Sequence, residues 1–231
     1  AARNAGIAAS RGDYIAYLDS DDVLLPESLS LRASFLDGRP DRDMVCGEAL
    51  TFDENGVTGL KSALAGMPAC KDDFRWETVG YCATMSTVML RRTCHDKAGL
   101  FDEHLRDAAE DWLMGVQLSL HCTMAYLDRP LASYRIHRDS ASHATERINN
   151  GLRYALRKVV DSDIFMAYPP SYRARLLFFC SATTVRFGPR CAAAFLVARA
   201  LMTDPRQIPF GLAVFSRGTR NTWKRLRRKQ A

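Results

Sequence analysis

The sequence lacks the cysteine pattern of a secreted or zinc-binding domain. Its 231 residues include seven cysteines, an odd number, and no two of them form a C-x-x-C pair. Disulfide-rich secreted proteins use even numbers of cysteines, and zinc ribbons use C-x-x-C pairs. With 47% hydrophobic and 25% charged residues, the composition is that of a globular protein. We therefore expect a folded protein with reduced thiols in the cytoplasm.

Acidic residues are missing from the end of the chain. All 26 Asp and Glu residues lie at or before Asp204, and eight of the 32 Lys and Arg residues follow it, so residues 1–204 carry a net charge of −2. Because the main part of the chain is slightly acidic, we expect no nucleic-acid partner. Residues 217–229, here called the basic tail, predict contact with the anionic inner face of a membrane. A solvated C-terminus is the alternative.

Long hydrophobic runs are missing as well. The nearest candidate for a membrane span, residues 176–202, is interrupted by Arg186, Arg190 and Arg199, so no span is predicted. The chain does not begin with Met, and residues 2–11 already have a helical pattern. We therefore expect the sequence to be a piece of a longer protein.

Helix and strand patterns alternate over residues 1–143, which predicts an α/β sheet. Residues 108–121 place apolar side chains on one face of a helix. Strands are predicted where short runs of β-forming residues occur, at 14–18, 44–52, 86–91, 123–127 and 132–136. Residues 144–231 have only helical patterns, broken by prolines. We expect an α/β domain at 1–143 and a helical region at 144–231.

Three carboxylates stand together where the first predicted strand ends, in Asp19-Ser20-Asp21-Asp22. In open α/β sheets, ligands bind at the carboxyl ends of strands. Carboxylates this close repel one another unless a cation joins them, and oxygen-rich sites suit Mg²⁺ or Mn²⁺. The cluster predicts a metal–diphosphate site. A solvated turn, with Asp22 or Ser28 capping the next helix, is the alternative.

Further motifs follow in order along the chain. They are Ala2-Arg3-Asn4-x-Gly6, Arg11-Gly12-Asp13 through Asp22, Ala98-Gly99-Leu100-Phe101-Asp102-Glu103, Glu110-Asp111-Trp112, and Tyr134-Arg135-Ile136-His137-Arg138-x-Ser140-x-Ser142. This ordered set resembles the family 2 glycosyltransferases, which are nucleotide-sugar-dependent enzymes of the GT-A fold. The resemblance covers about residues 1–143, and the helical remainder matches only loosely.

The resemblance implies roles for individual residues. Asp19 and Asp21 take the places of the metal- and diphosphate-binding D-x-D motif, and Asp22 completes its double-Asp form. Asp111 takes the place of the presumed catalytic base. His137 takes the place of a histidine near the metal or the diphosphate. Arg3 and Asn4 are expected to contact the nucleotide.

Each of these roles has a structural alternative. Asp111 stands near a helix N-terminus, where the helix dipole favours an acid for stability alone. A single histidine such as His137 is more often structural than a ligand. Arg3 and Asn4 can equally cap or pair locally.

The resemblance also implies a reaction and a fold. A sugar would pass, with inversion, from a nucleotide diphosphate sugar, expected to be a UDP-sugar, to a hydroxyl of a polysaccharide, lipopolysaccharide or glycolipid acceptor. Mn²⁺ or Mg²⁺ is the expected cofactor. The expected fold is a partial GT-A domain, Rossmann-like with a mostly parallel sheet, that lacks its first βα units. Roughly 60 residues would precede Ala1, at about 30 residues for each βα unit.

Two other functions remain open from the sequence. Residues 15–24 also resemble the first motif of haloacid-dehalogenase-type phosphatases, in which Asp19 would be the nucleophile and Asp21 the acid/base. The Arg3-Asn4-x-Gly6 segment has no place in that family. A degenerate, non-catalytic glycosyltransferase module is the second alternative, against which Asp19, Asp21 and Asp111 argue.

Overall fold

The computed structural model describes residues 1–61, 83–105, 109–137, 145–187, 190–212 and 214–215. The chain divides into two compact units, Ala1–Gly151 and Leu152–Ala231. The predicted domain boundary at 143/144 stays a prediction. Ser140, Ser142 and the basic tail lie outside the described residues.

The first unit combines helices and strands. Its strands are β1 (Tyr14–Ala16), β2 (Val23–Leu24), β3 (Met44–Asp53), β4 (Gly56–Lys61), β5 (Met89–Arg91) and β6 (Met124–Arg135). Its helices are α1 (Ala2–Ala9), α2 (Ser28–Asp37), α3 (Thr93–Ala98) and α4 (Glu110–His121), with a 3-10 turn at Met85–Thr87. Helix α5 (Thr145–Val160) begins in this unit. The predicted α/β class is confirmed.

The six strands form one mixed sheet. Its order is β1-β5-β3-β6-β2, and β4 pairs with β3 as a hairpin that turns at Asn55-Gly56. Among the described residues only β3 and β6 pair in parallel, so the prediction of a mostly parallel sheet is wrong for the strands described. The physical reason is that β5 lies between β1 and β3 and runs antiparallel to both.

Strand β6 replaces the two strands predicted at 123–127 and 132–136. It continues through Pro130, and its register against β3 shifts on both sides of Glu48. A proline has no N–H for the ladder, so an irregular register is expected there. Gly47 lies at this irregularity, and a Cβ on it would come within 2.7 Å of the Leu131 side chain and 2.9 Å of two backbone carbonyls. The close approach of β6 therefore requires a glycine at this position.

The core of the first unit covers both faces of the central strands. Successive strand residues point to opposite faces. Met44 and Leu90 belong to the larger apolar cluster, with Met114 and Met124. Val45 and Met89 belong to a second cluster, with Leu36 of α2. Because apolar side chains cover both faces of the central strands, polar loops can come together at the carboxyl end of β1.

The second unit is helical wherever it is described. Besides the end of α5, it contains α6 (Asp163–Ala167), α7 (Pro170–Phe187), α8 (Arg190–Thr203) and a 3-10 turn at Pro205–Gln207. Leu177 of α7 and Ala200 of α8 are fully buried. The predicted breaks at Pro169-Pro170 and Pro205 coincide with helix boundaries. No helix among the described residues combines the length and apolarity that crossing a membrane requires.

Candidate functional site

Residues 19–22, here called the acidic loop, connect β1 to β2. The loop is a turn closed by the Asp22 N–H, which donates to the Asp19 carbonyl at 3.1 Å. Asp22 is only 7% exposed. Its carboxylate accepts from the Ser86 hydroxyl at 2.6 Å and from the Arg135 N–H at 3.1 Å. Asp22 therefore ties the acidic loop to the 3-10 turn and to β6.

Burial also affects the ionisation of Asp22. Removal from water raises the pKa of its carboxyl, although the hydrogen bonds from Ser86 and Arg135 oppose this effect. Asp19 and Asp21 raise the pKa further by repulsion. Both oxygens of Asp22 are engaged within the protein, which supports a structural task. Its predicted contact with the nucleotide stays a prediction.

Arg3 joins two acidic residues that are far apart in the sequence. Its guanidinium donates to Asp19 at 2.6 Å and to Glu110 at 2.5 Å. It also lies 5.5 Å from the centre of the Phe101 ring. Burial opposes the charge of Arg3, but the bonds to Asp19 and Glu110 outweigh it and raise the pKa of Arg3. Helix α1 thereby connects the acidic loop to the start of α4.

Asp111 follows Glu110 in the first turn of α4. Its carboxylate accepts the N–H of Trp112 at 2.7 Å. Burial, and then repulsion by Glu110 and Asp19, raises the pKa of Asp111, whereas Arg3 lowers it. Asp19, Glu110, Asp111 and Arg3 therefore share one electrostatic environment. A carboxylate with a raised pKa in a polar cluster is a candidate general base.

His137 and Asp21 form a second pair at the same loop. The His137 Nε2 lies 3.0 Å from Asp21 Oδ2, and both side chains are 37% exposed. The Arg135 side chain donates to the Asp21 backbone carbonyl at 3.1 Å. The end of β6 therefore holds the acidic loop and leaves the Asp21–His137 pair accessible to a ligand.

Asn4 is used within the protein. Its amide N–H groups donate to the Phe101 carbonyl and to Glu103, each at 2.9 Å. Its Oδ1 accepts from the Phe101 N–H at 3.0 Å. Asn4 thus clamps the Gly99–Glu103 segment to α1, and both of its donors are taken. Its predicted contact with the nucleotide stays a prediction.

The donor set agrees in chemistry with a hard divalent cation. Carboxylate oxygens suit Mg²⁺ and Mn²⁺, and Mg²⁺ is commonly held by one or two carboxylates plus substrate phosphates. Asp21 and His137 offer adjacent ligand atoms, and Asp19 has one oxygen beyond its bond to Arg3. Within the described ranges, no three His, Cys, Asp or Glu residues group as a ready-made metal site.

Two buried residues of this site were missed by the sequence reasoning. Ser86 holds Asp22, and Arg32 of α2 donates to the carbonyl of Val88, the residue before β5. Arg32 stands between the apolar positions of α2 and is fully buried. The one sequence signal that could have revealed Arg32 is that a charged residue stands on the inward side of a helix.

Comparison with known proteins supports the predicted resemblance to family 2 glycosyltransferases. The family model of Glycosyl transferase family 2 matches residues 1–97. An uncharacterized glycosyltransferase of Methanocaldococcus jannaschii is 38% identical over 56 residues, which make up 24% of this chain and 19% of that protein. These matches support the glycosyltransferase prediction for residues 1–97.

Solved structures of S. aureus TarS are similar in fold. The complex of TarS 1–349 with UDP-GlcNAc superposes with a TM-score of 0.60 at 15% identity, covering 98% of this chain and 71% of that one. S. aureus TarS itself superposes with a TM-score of 0.54 at 17% identity, covering 80% of this chain and 31% of that one. The chain thus spans about a fifth of its curated relative and about a third of TarS. The predicted GT-A fold is confirmed.

Proposed function

Because residues 1–97 match the model of Glycosyl transferase family 2 and the fold is similar to that of TarS, we propose that the first unit forms the donor and base side of a sugar-transfer site. The donor is a nucleotide diphosphate sugar, with UDP as the nucleotide. The acceptor is a hydroxyl of a polysaccharide, lipopolysaccharide or glycolipid precursor. The observation that carries this proposal is that Arg3 brings the acidic loop and the Glu110-Asp111 pair together.

The donor assignment is supported by fold likeness and by charge. A structural neighbour, TarS of S. aureus, has been crystallised with UDP-GlcNAc and with UDP. In this chain Asp21 and His137 lie next to each other at the accessible side of the acidic loop. We assign Asp19, Asp21 and His137 to holding Mn²⁺ or Mg²⁺ together with the diphosphate. When bound, the cation stabilises negative charge on the departing nucleotide diphosphate.

Asp111 is assigned the role of general base. It would accept the proton of the acceptor hydroxyl while that oxygen attacks the anomeric carbon from the face opposite the nucleotide. A single displacement of this kind inverts the anomeric configuration. A base works best when its pKa is near the working pH, and burial moves the pKa of Asp111 in that direction. Glu110 and Arg3 set the charge around it.

Calorimetric titration with UDP and GDP, with and without Mn²⁺, tests the donor site. We expect UDP to bind more tightly when Mn²⁺ is present. Asp21→Ala should weaken Mn²⁺-dependent binding by at least the roughly 10- to 100-fold that loss of even an outer-shell partner of a metal costs. Asp96→Ala is the matched control, because Asp96 is an exposed acid of α3 outside the site.

The outcome separates the remaining functions. Unchanged affinity in Asp21→Ala would remove Asp21 from the metal site. A folded wild-type protein that binds neither nucleotide contradicts the proposed function and favours the non-catalytic module. A spectrum of folded protein must accompany each titration, so that loss of binding is not confused with loss of structure.

We further propose that the protein is cytoplasmic and lies on the inner face of the membrane through the basic tail. The charge asymmetry of the sequence supports this, because no acidic residue follows Asp204. Each basic residue near an anionic surface contributes about 1 kcal/mol. Co-sedimentation should therefore occur with phosphatidylserine vesicles and decline as salt is raised. Equal binding to neutral phosphatidylcholine vesicles, or no binding to either, contradicts the proposal.

A further inference from the structure

Helix α2 contains an arginine that no solvent reaches. Arg32 is 0% exposed, and its guanidinium donates to three atoms at 3.0 Å: the Ser28 carbonyl, the Ser28 hydroxyl and the Val88 carbonyl. A longer contact of 3.5 Å reaches the Ser86 carbonyl. Burial lowers the pKa of Arg32 to about 10, so the side chain stays charged at neutral pH. All four of these contacts are to uncharged oxygen atoms.

A buried charge is costly, and helix packing alone does not require one. An apolar side chain at position 32 would fill the same inward side of α2 without the penalty of removing a charge from water. An apolar side chain has no N–H groups, so it cannot donate hydrogen bonds to several carbonyls at once. The planar guanidinium presents five donors in a rigid arrangement. Arg32 therefore holds the backbone from Ser86 of the 3-10 turn to Val88, the residue before β5.

Ser86 passes this restraint on to the acidic loop. Its side chain is also 0% exposed. The Ser86 hydroxyl donates to Asp22 at 2.6 Å and accepts the Asp19 N–H at 3.1 Å. One hydroxyl therefore contacts the first and the last residue of the acidic loop, and its own backbone lies against Arg32. The three carboxylates repel one another, so a loop of this charge needs such a restraint to keep one conformation.

We propose that Arg32 and Ser86 are positioning residues for the donor site, and that they hold the acidic loop from behind so that Asp19 and Asp21 face the diphosphate. The proposal rests on the proposed function for its ligand, but the restraint itself is a property of the free protein. Arg32 fixes Ser86, and Ser86 fixes Asp19 and Asp22. Both residues are 0% exposed, so their role is assigned to positioning and not to contact with the donor.

Removal of the Ser86 hydroxyl is the first test. Ser86→Ala should speed hydrogen exchange of the Asp19 amide by about tenfold, because that amide loses its acceptor. It should also weaken Mn²⁺-dependent UDP binding by a similar factor. Thr87→Val is the matched control. Thr87 is equally buried and lies in the same turn, but its hydroxyl donates only to the Thr84 carbonyl among the contacts seen here.

A second pair of variants tests Arg32. Arg32→Lys keeps the charge but removes the planar set of donors, so it should speed Asp19 exchange and weaken UDP binding in the same direction as Ser86→Ala. Arg91→Lys is its control. Arg91 also donates to backbone carbonyls, those of Leu36 at 2.6 Å and Arg42 at 3.0 Å, but at the other end of β5. Melting temperatures of all four variants show how much of any change is general destabilisation.

The two readouts separate failure of the positioning role from failure of the proposed function. If wild-type protein binds no nucleotide, the proposed function fails, and Asp19 exchange still tests the restraint. If Ser86→Ala leaves Asp19 exchange and UDP affinity like those of Thr87→Val, the positioning role is overturned even when UDP binds. If Arg32→Lys and Arg91→Lys change exchange at Asp19 equally, Arg32 serves only general stability and its part of the proposal is overturned.

Discussion

Asp111→Asn is expected to lower sugar transfer by about 100- to 10,000-fold, the usual contribution of a general base, and to raise thermal stability at pH 7. The amide cannot accept the proton of the acceptor hydroxyl. It can still accept the Trp112 N–H that Asp111 now accepts at 2.7 Å. UDP affinity should be unchanged, because the donor contacts are assigned to the acidic loop and His137.

The stability gain follows from the sign of the pKa shift. Burial and repulsion by Glu110 raise the pKa of Asp111 in the folded protein, so the folded state binds this proton more tightly than the unfolded state does. Above the folded pKa the ionised carboxylate therefore destabilises the protein, and below the unfolded pKa of about 3.9 the effect vanishes. Asparagine avoids this cost, and each kcal/mol recovered raises the melting temperature by about 2–4 °C.

Thermal unfolding at pH 7 and near pH 4, together with a transfer assay and UDP titration, checks this expectation. Asp96→Asn, the same substitution at an exposed position of α3, should change neither stability nor transfer. Loss of UDP binding in Asp111→Asn would contradict the base assignment. A lower melting temperature at pH 7 would contradict the electrostatic account of Asp111.

The acidic loop and the Glu110-Asp111 pair were predictable because their positions depend on local sequence. A short apolar strand followed by carboxylates places those carboxylates near the strand's end, and in the structure β1 (Tyr14–Ala16) ends two residues before the loop begins. The start of α4 at Glu110 agrees in the same way with the predicted helix of residues 108–121. Spacing within about ten residues was sufficient for both.

Contacts between distant residues were not predictable. The pairing of the Arg3 guanidinium with Asp19 and Glu110, the latter 107 positions away, was not predicted, and the predicted contact of Arg3 with the nucleotide stays a prediction. The antiparallel insertion of β5 was missed for a related reason. Hydrophobic periodicity indicates that a segment is a strand but does not indicate the direction of its neighbour. Only the path of the whole chain decides which strands meet and which side chains pair.

Arg32 shows a third limit. Arg32 lies in α2 (Ser28–Asp37), and the sequence reasoning gave it no role. Its partners are backbone carbonyls, and every residue has such a carbonyl, so no residue type in the sequence reveals the pairing. Buried side chains that satisfy backbone groups become visible only when the strands are assembled.

Substitution of the two charged neighbours of Asp111 should move the pH dependence of transfer in opposite directions. Arg3 lowers the pKa of Asp111 and Glu110 raises it. Arg3→Met should therefore shift the acid limb of kcat/KM to higher pH, because Asp111 then binds its proton more tightly. Glu110→Gln should shift the same limb to lower pH. The acid limb reports the base in the free enzyme.

Arg3→Met is also expected to lower the stability of the folded protein. Arg3→Met leaves Asp19 and Glu110 without their shared cation, and the loss should stay below the roughly 3–5 kcal/mol of a broken buried ion pair, since the Arg3 side chain is 28% exposed. Thermal unfolding at pH 7 measures this loss.

A surface pair provides the control for these variants. Arg39 and Asp41 lie 3.3 Å apart and are both exposed, and such pairs contribute about 0–1 kcal/mol. Arg39→Met should therefore leave the pH profile of transfer and the stability nearly unchanged. The double variant Arg3→Met/Glu110→Gln should bring the acid limb back toward that of the wild type, since the two shifts oppose each other. Shifts of the same sign in both single variants would mean that the acid limb reports a group other than Asp111, and the general base would then have to be sought elsewhere in the acidic cluster.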